Sequence, residues 1–170
     1  MKTSILSFSL LLCFSAHAMT VEEVFGTLPE GGTCFTRSYS AAHLARKPLQ
    51  TVKDITIKLT RTSPWTTSEG EFMQVLVHQK KSLRKALRQA MSCFESGGEV
   101  ICAVDCDGGS MVVNALKDGK LTIANNNLTL KGGCGTDEDE TIILETIAGG
   151  DDTFVLTEAP MSACAKVGFP

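Results

Sequence analysis

The stretch "CFESGGEVIC", residues 93–102, sets two cysteines at equal distances from Gly97-Gly98. A two-residue hairpin loop needs positive φ angles, which glycine adopts without a Cβ penalty. Counting outward from it pairs Ser96 with Glu99, Glu95 with Val100, Phe94 with Ile101 and Cys93 with Cys102. Directly opposed residues have Cα atoms about 4.5 to 5.5 Å apart, within reach of a disulfide. The stretch therefore predicts a hairpin stapled across its two strands.

The rest of the cysteine pattern follows from compartment. Lys2 precedes an uncharged apolar run, Ile5 to Phe14, and Ala16-His17-Ala18 places small residues where a signal peptidase reads them. That is the form of a secretory signal peptide over residues 1–18, too short to span a bilayer. Cys13 follows Leu12 rather than a small residue, so no lipid anchor is expected. Of seven cysteines, six then remain in residues 19–170: Cys34, Cys93, Cys102, Cys106, Cys134 and Cys164. An even count in a secreted chain reads as three disulfides, although six cysteines allow fifteen pairings. Beyond Cys93–Cys102, joining the chain ends gives Cys34–Cys164 and the remainder gives Cys106–Cys134. A zinc site needs four ligands, and no second close Cys or His pair completes Cys102 and Cys106. Neither a metal nor a cofactor is expected.

Residues 19–170 form one domain of ordinary size. Loss of Lys2 takes the formal net charge from −3 to −4. Nucleic acid and anionic membranes ask for a basic footprint, so neither is an expected partner.

Turn signals punctuate the chain after residue 90. Asp107-Gly108, Asp118-Gly119 and Asn125-Asn126 each read as a hairpin turn. They would set Leu116 against Leu121, Asn114 against Ile123, then Ile123 against Leu128 and Leu121 against Leu130. "ETIILETI" and "DTFVLTE" read as a further hairpin across Gly149-Gly150. Upstream, "DITIKLTR" alternates Ile55, Ile57 and Leu59 with polar residues. In "EFMQVLVHQ" both alternating sets are largely apolar, so both faces should be covered. The fold class is mainly β: an antiparallel meander forming a small barrel or sandwich, disulfide-stapled, with one or two short helices. One helix is expected in "SYSAAHLARKP", with Ser40 as N-cap and Pro48 as stop. A helical turn is expected near 81–88, where Leu83, Leu87 and Ala90 have helical spacing, with strand after it.

The elements "CFTRSYSAAHLARKPLQTV", "CDGGSM" and "GGDDTFVLTEAPMSAC" are similar to a family of small uncharacterised secreted bacterial proteins. The shared residues are Tyr39, Ala41-Ala42-His43-Leu44-Ala45, Pro48 and Gln50, then Cys106 to Gly109, then Asp151-Asp152, Phe154 and Leu156. The resemblance implies a periplasmic β-rich protein and no particular activity.

Candidate chemistry is sparse. Cys34 and His43 resemble a nucleophile and its base, but a paired cystine is inert. "DCDGG" lacks the later ligands of a calcium loop. An acidic run, Asp137-Glu138-Asp139-Glu140, lies among glycines beside Cys134. Such runs are usually solvated loops, yet this one has the charge to meet a cationic protein. Trp65, the only tryptophan, sits in the Thr/Ser-rich stretch "TRTSPWTTSEG" and either anchors a partner, if exposed, or folds back on the core. The expected function is a non-enzymatic secreted binding module, for example an inhibitor of a cationic hydrolase such as lysozyme. A barrel carrying a small apolar ligand is the alternative, and an enzyme without a familiar motif the third reading.

Overall fold

Alternation of apolar residues at period two builds the strands, and cross-strand pairing closes them on themselves. The computed structural model describes residues 19–66, 69–81, 86–106, 108–131 and 142–167. The strands are β1 (Thr33–Ser38), β2 (Val52–Thr62), β3 (Glu69–Gln79), β4 (Leu87–Ser96), β5 (Glu99–Ala103), β6 (Ser110–Lys117), β7 (Lys120–Asn126), β8 (Leu128–Lys131), β9 (Ile142–Leu144) and β10 (Thr153–Ala159). Eight form a closed antiparallel barrel in the order β1-β10-β7-β6-β5-β4-β3-β2, while β8 and β9 pair separately. Thus β1 to β7 run as a meander, and β10 closes the gap between β7 and β1.

The expected hairpin is present. Cys93 pairs with Cys102 and Ser96 with Glu99, and both Gly97 and Gly98 have positive φ. Cys93 and Cys102 are disulfide-bonded with Cα atoms 3.9 Å apart, and both are buried among the inward-facing residues. Cys34–Cys164 is also formed, across 130 residues of sequence. Cys106 is disulfide-bonded; its expected partner Cys134 lies outside the described residues, as does the 1–18 segment.

Inside the barrel, one face of every strand converges. Phe35, Ile55, Ile57, Leu59, Met73, Val75, Val77 and Met91 join Met111, Val113, Leu121, Ile123, Phe154 and Leu156 in a single buried cluster. Both ends contribute to it. A short helix, α1 (Val21–Phe25), adds Val24 and Phe25. Just after α1, Leu28 lies beside Leu116 to Gly119, at the β6–β7 turn. Toward the opposite end, β8 and β9 contribute Leu128, Leu130 and Leu144, and Gln89 of β4 donates to the Thr129 carbonyl at 2.9 Å. An eight-stranded barrel is just wide enough for side chains to fill, and here the inward-facing side chains of the described residues form one buried cluster.

Several local expectations are corrected. The Asp118-Gly119 turn holds and Leu116 faces Leu121, but a bulge at Asn114 puts Val113 opposite Ile123. The bulge buries Val113 and leaves Asn114 in solvent. Around Asp107, itself outside the described residues, Ala103 pairs with Ser110, so the connection is longer than a two-residue turn. Gly108 and Gly109 instead allow close approach. The Gly108 carbonyl accepts from Thr129 N at 2.7 Å, and a Cβ on Gly109 would collide with the Asn127 carbonyl. Asn125-Asn126 makes no hairpin, because β10 takes the edge of β7 and β8 turns across the barrel end. For the same reason β9 and β10 do not pair. Where a helical turn was expected near 81–88, Leu87 onward is strand and 82–85 lie outside the described residues. The helix at α2 (Ala41–Arg46) is present, with the Ser40 hydroxyl accepting from His43 N.

Candidate functional site

Two constellations stand out on the barrel, one at a rim and one on its outer wall. At the rim, residues far apart in sequence meet around α2 and the start of β2. Asp151 is buried, and its carboxylate accepts from Thr51 N at 2.7 Å, Thr51 Oγ1 at 2.6 Å and Val52 N at 3.1 Å. Gln50 donates through Nε2 to the Val52 carbonyl at 3.0 Å, which turns its Oε1 toward His43 Nε2, also at 3.0 Å. Since Oε1 can only accept, His43 carries its proton on Nε2. The imidazole stacks on Tyr39 with centroids 4.8 Å apart, and the Arg37 guanidinium lies 5.3 Å from the Tyr39 ring centre. Tyr39, His43, Gln50 and Asp151 therefore form one assembly. Its Gln50 and Asp151 side chains are bonded to His43, to Thr51 and to backbone. It is a latch that fastens α2 and the β2 start to the segment entering β10.

Tyr39 gives that latch a pH signature. Burial raises its phenol above the ordinary value; the Arg37 charge opposes the rise, the Asp151 charge adds to it, and the Arg37 hydrogen bond lowers it. A folded-state value above the unfolded one means the fold favours the neutral phenol. Its contribution is intact below about pH 10 and is lost as pH climbs through the folded value. Because Tyr39 is the only tyrosine, tyrosinate absorbance reads it directly. The native titration midpoint should lie above that of urea-unfolded protein, and coincident midpoints would contradict the buried setting.

The second constellation is on the outer wall of β2, β3 and β4. Both faces of β3 are covered, as the sequence pattern implied: Phe72, Gln74 and Leu76 point outward, yet none exceeds 9% exposure. Leu76 is covered by the C-terminal 3-10 turn (Met161–Cys164) and Val167, held against the wall by Cys34–Cys164. At the other end of the strand Phe72 meets Trp65 edge-on, with centroids 5.9 Å apart. Trp65 nevertheless remains 55% exposed.

Between these two covers lies Gln74, paired across the ladder with Lys58 on β2 and Ala90 on β4. Gln74 is 5% exposed, and its Oε1 has no hydrogen-bond partner. It lines a pocket of about 370 Å³ with Lys58, Thr60, Thr62, Ser63 and Pro64. Ser63 Oγ accepts from Trp65 N and Thr66 N, which fixes the loop and leaves its hydroxyl proton free to donate. Sequence reasoning took "EFMQVLVHQ" as a doubly covered strand without singling out Gln74. The signal was there: a carboxamide between Phe72 and Leu76 on a covered face has to find a partner or go without.

The remaining sequence candidates separate. Cys34, tied to Cys164, carries no thiolate, which removes it as a nucleophile for His43. Asp137, Glu138, Asp139 and Glu140 lie outside the described residues. No family model, no curated protein and no solved structure matches this chain.

Proposed function

We propose that the protein is a secreted, non-enzymatic binding module that works through the outside of its barrel. The observation carrying this reading is the packed lumen: the inward-facing side chains form one continuous buried cluster. An apolar ligand inside the barrel would have to displace them, so recognition falls to the outer wall, the rims and the loops. Disulfides pin the β4–β5 hairpin and the C-terminal turn, and stiff loop carriers lose little freedom on binding. Secretion rests on the 1–18 signal sequence, and the disulfides suit an oxidising compartment. Among the described residues no helix is long and apolar enough to cross a membrane.

The concrete partner is a cationic protein, with a hydrolase such as lysozyme the first case. Asp137-Glu138-Asp139-Glu140 supplies four carboxylates just after Gly132, Gly133 and Gly135, and such a cluster raises encounter rates with a basic surface. Lysozyme inhibition should weaken with salt, since exposed charges are screened over about 8 to 10 Å. Neutralising all four residues to Asn or Gln should weaken it by about tenfold or more with the melting temperature unchanged. Equal inhibition by the neutralised variant would remove the loop from the mechanism. Failure to inhibit any lysozyme would remove the hydrolase.

A further inference from the structure

We infer that the outer-wall pocket around Gln74 is a binding site for a saccharide carrying an anionic group, such as a uronic acid. The inference goes beyond the acidic-loop reading and does not depend on it. Its first support is Gln74 itself. A carboxamide with one end buried and unpartnered is costly, because it gives up its water bonds and receives none in return. Methionine has similar bulk and would fill the place without that cost. Either assignment of the amide oxygen and nitrogen leaves one polar end buried and vacant, and the side chain forms part of the pocket's lining.

The rest of the lining defines the ligand. Lys58 supplies an ammonium, and Thr60, Thr62 and Ser63 supply hydroxyls. No acidic side chain lines the pocket among the described residues. This lining donates to an oxygen-rich ligand and favours negative charge, and Gln74 adds a carboxamide to it. Trp65 follows Pro64, a residue of the lining, and packs on Phe72 with more than half its surface free. The electron-rich face of an indole attracts the positive C–H edges of a sugar ring. A volume of about 370 Å³ falls within the range of small-molecule sites, roughly 300 to 1,000 Å³.

Trp65 is the only tryptophan, so intrinsic fluorescence reports on this site. Titration with trigalacturonic acid should give a saturable change, with maltotriose at least tenfold weaker. High salt and Lys58→Ala should each weaken the acidic sugar while leaving the fold intact. Gln74→Met should weaken it at least tenfold and, by removing the unpartnered amide, keep or raise the melting temperature. Calorimetry on the same variants confirms that a changed signal is changed binding. No saturable response to trigalacturonic acid, equal responses to both sugars, or undiminished binding by a folded Gln74→Met variant would each overturn the assignment.

Discussion

Cys34→Ala with Cys164→Ala should lower the unfolding free energy by about 5 kcal/mol, roughly twice the loss expected for Cys93→Ala with Cys102→Ala. The difference comes from the unfolded chain. The first bridge closes a loop spanning 130 residues and the second only 9, and the entropy withheld from the unfolded ensemble grows with the logarithm of loop length. Locally the long-range bridge also does more. It seats the C-terminal turn over Leu76, where Cys164 and Val167 are nearly inaccessible, and Arg88 Nε adds a 2.8 Å bond to the Lys166 carbonyl. The barrel itself closes through backbone ladders from β1 to both β2 and β10, so the variant should still fold. Urea unfolding of both double variants checks the order. A larger loss at Cys93–Cys102 would show that packing of the buried cystine outweighs loop entropy.

What the sequence made legible was local and periodic. The Cys93–Cys102 hairpin followed from symmetry about two glycines, and Ile55, Ile57 and Leu59 took the inward face of β2 as their spacing required. Covered faces on both sides of β3 followed from the two apolar sets of "EFMQVLVHQ". Closure into a barrel rather than a sandwich was not readable, because it depends on β10 reaching β1 and β7, and strand composition carries no record of its partner.

The errors share that origin. Asn125-Asn126 has good turn chemistry, but in the fold Asn125 is buried and bonds the Leu144 and Asp151 carbonyls through Nδ2, while Oδ1 accepts from Leu128 N. A residue suited to a turn serves equally well as a junction between three segments. Leu87 and Arg88, expected in the helical turn, instead open β4, because completing the β3–β4 ladder overrides their helix propensity. The bulge at Asn114 moved the register by one residue, enough to exchange buried and exposed faces. One missed element had a plain signal: Thr20 and Glu23 form a capping box at the start of α1, each bonding the other's backbone N–H. As for the candidate site, Trp65 was legible as a lone aromatic in a polar loop, and Gln74 as a carboxamide on a doubly covered strand, but the pocket that joins them depends on the pairing of β2 with β3.

Asp151→Ala should cost about 3 to 5 kcal/mol, since bonds to a carboxylate are worth about 1.5 to 3 kcal/mol each and water refills part of the gap. The Thr51 N–H, the Thr51 hydroxyl and the Val52 N–H all lose their acceptor at a position where Asp151 is 2% exposed. These donors belong to the residues that start β2, and Asp151 stands at the entrance to β10. The substitution therefore loosens the rim where the first strands meet the last. Asp151→Asn keeps one acceptor oxygen and the volume, but turns an amide N–H toward backbone N–H groups, so its loss should be smaller than that of alanine. Tyr39 supplies a second readout that packing alone would not move. The Asp151 charge is one of the causes holding the phenol high, so removing it in Asp151→Asn should bring the tyrosinate midpoint down toward its ordinary value. Urea unfolding measures the first effect and absorbance titration the second. A loss below about 1 kcal/mol for Asp151→Ala, the scale of one ordinary hydrogen bond, would mean that the rim holds together without its carboxylate.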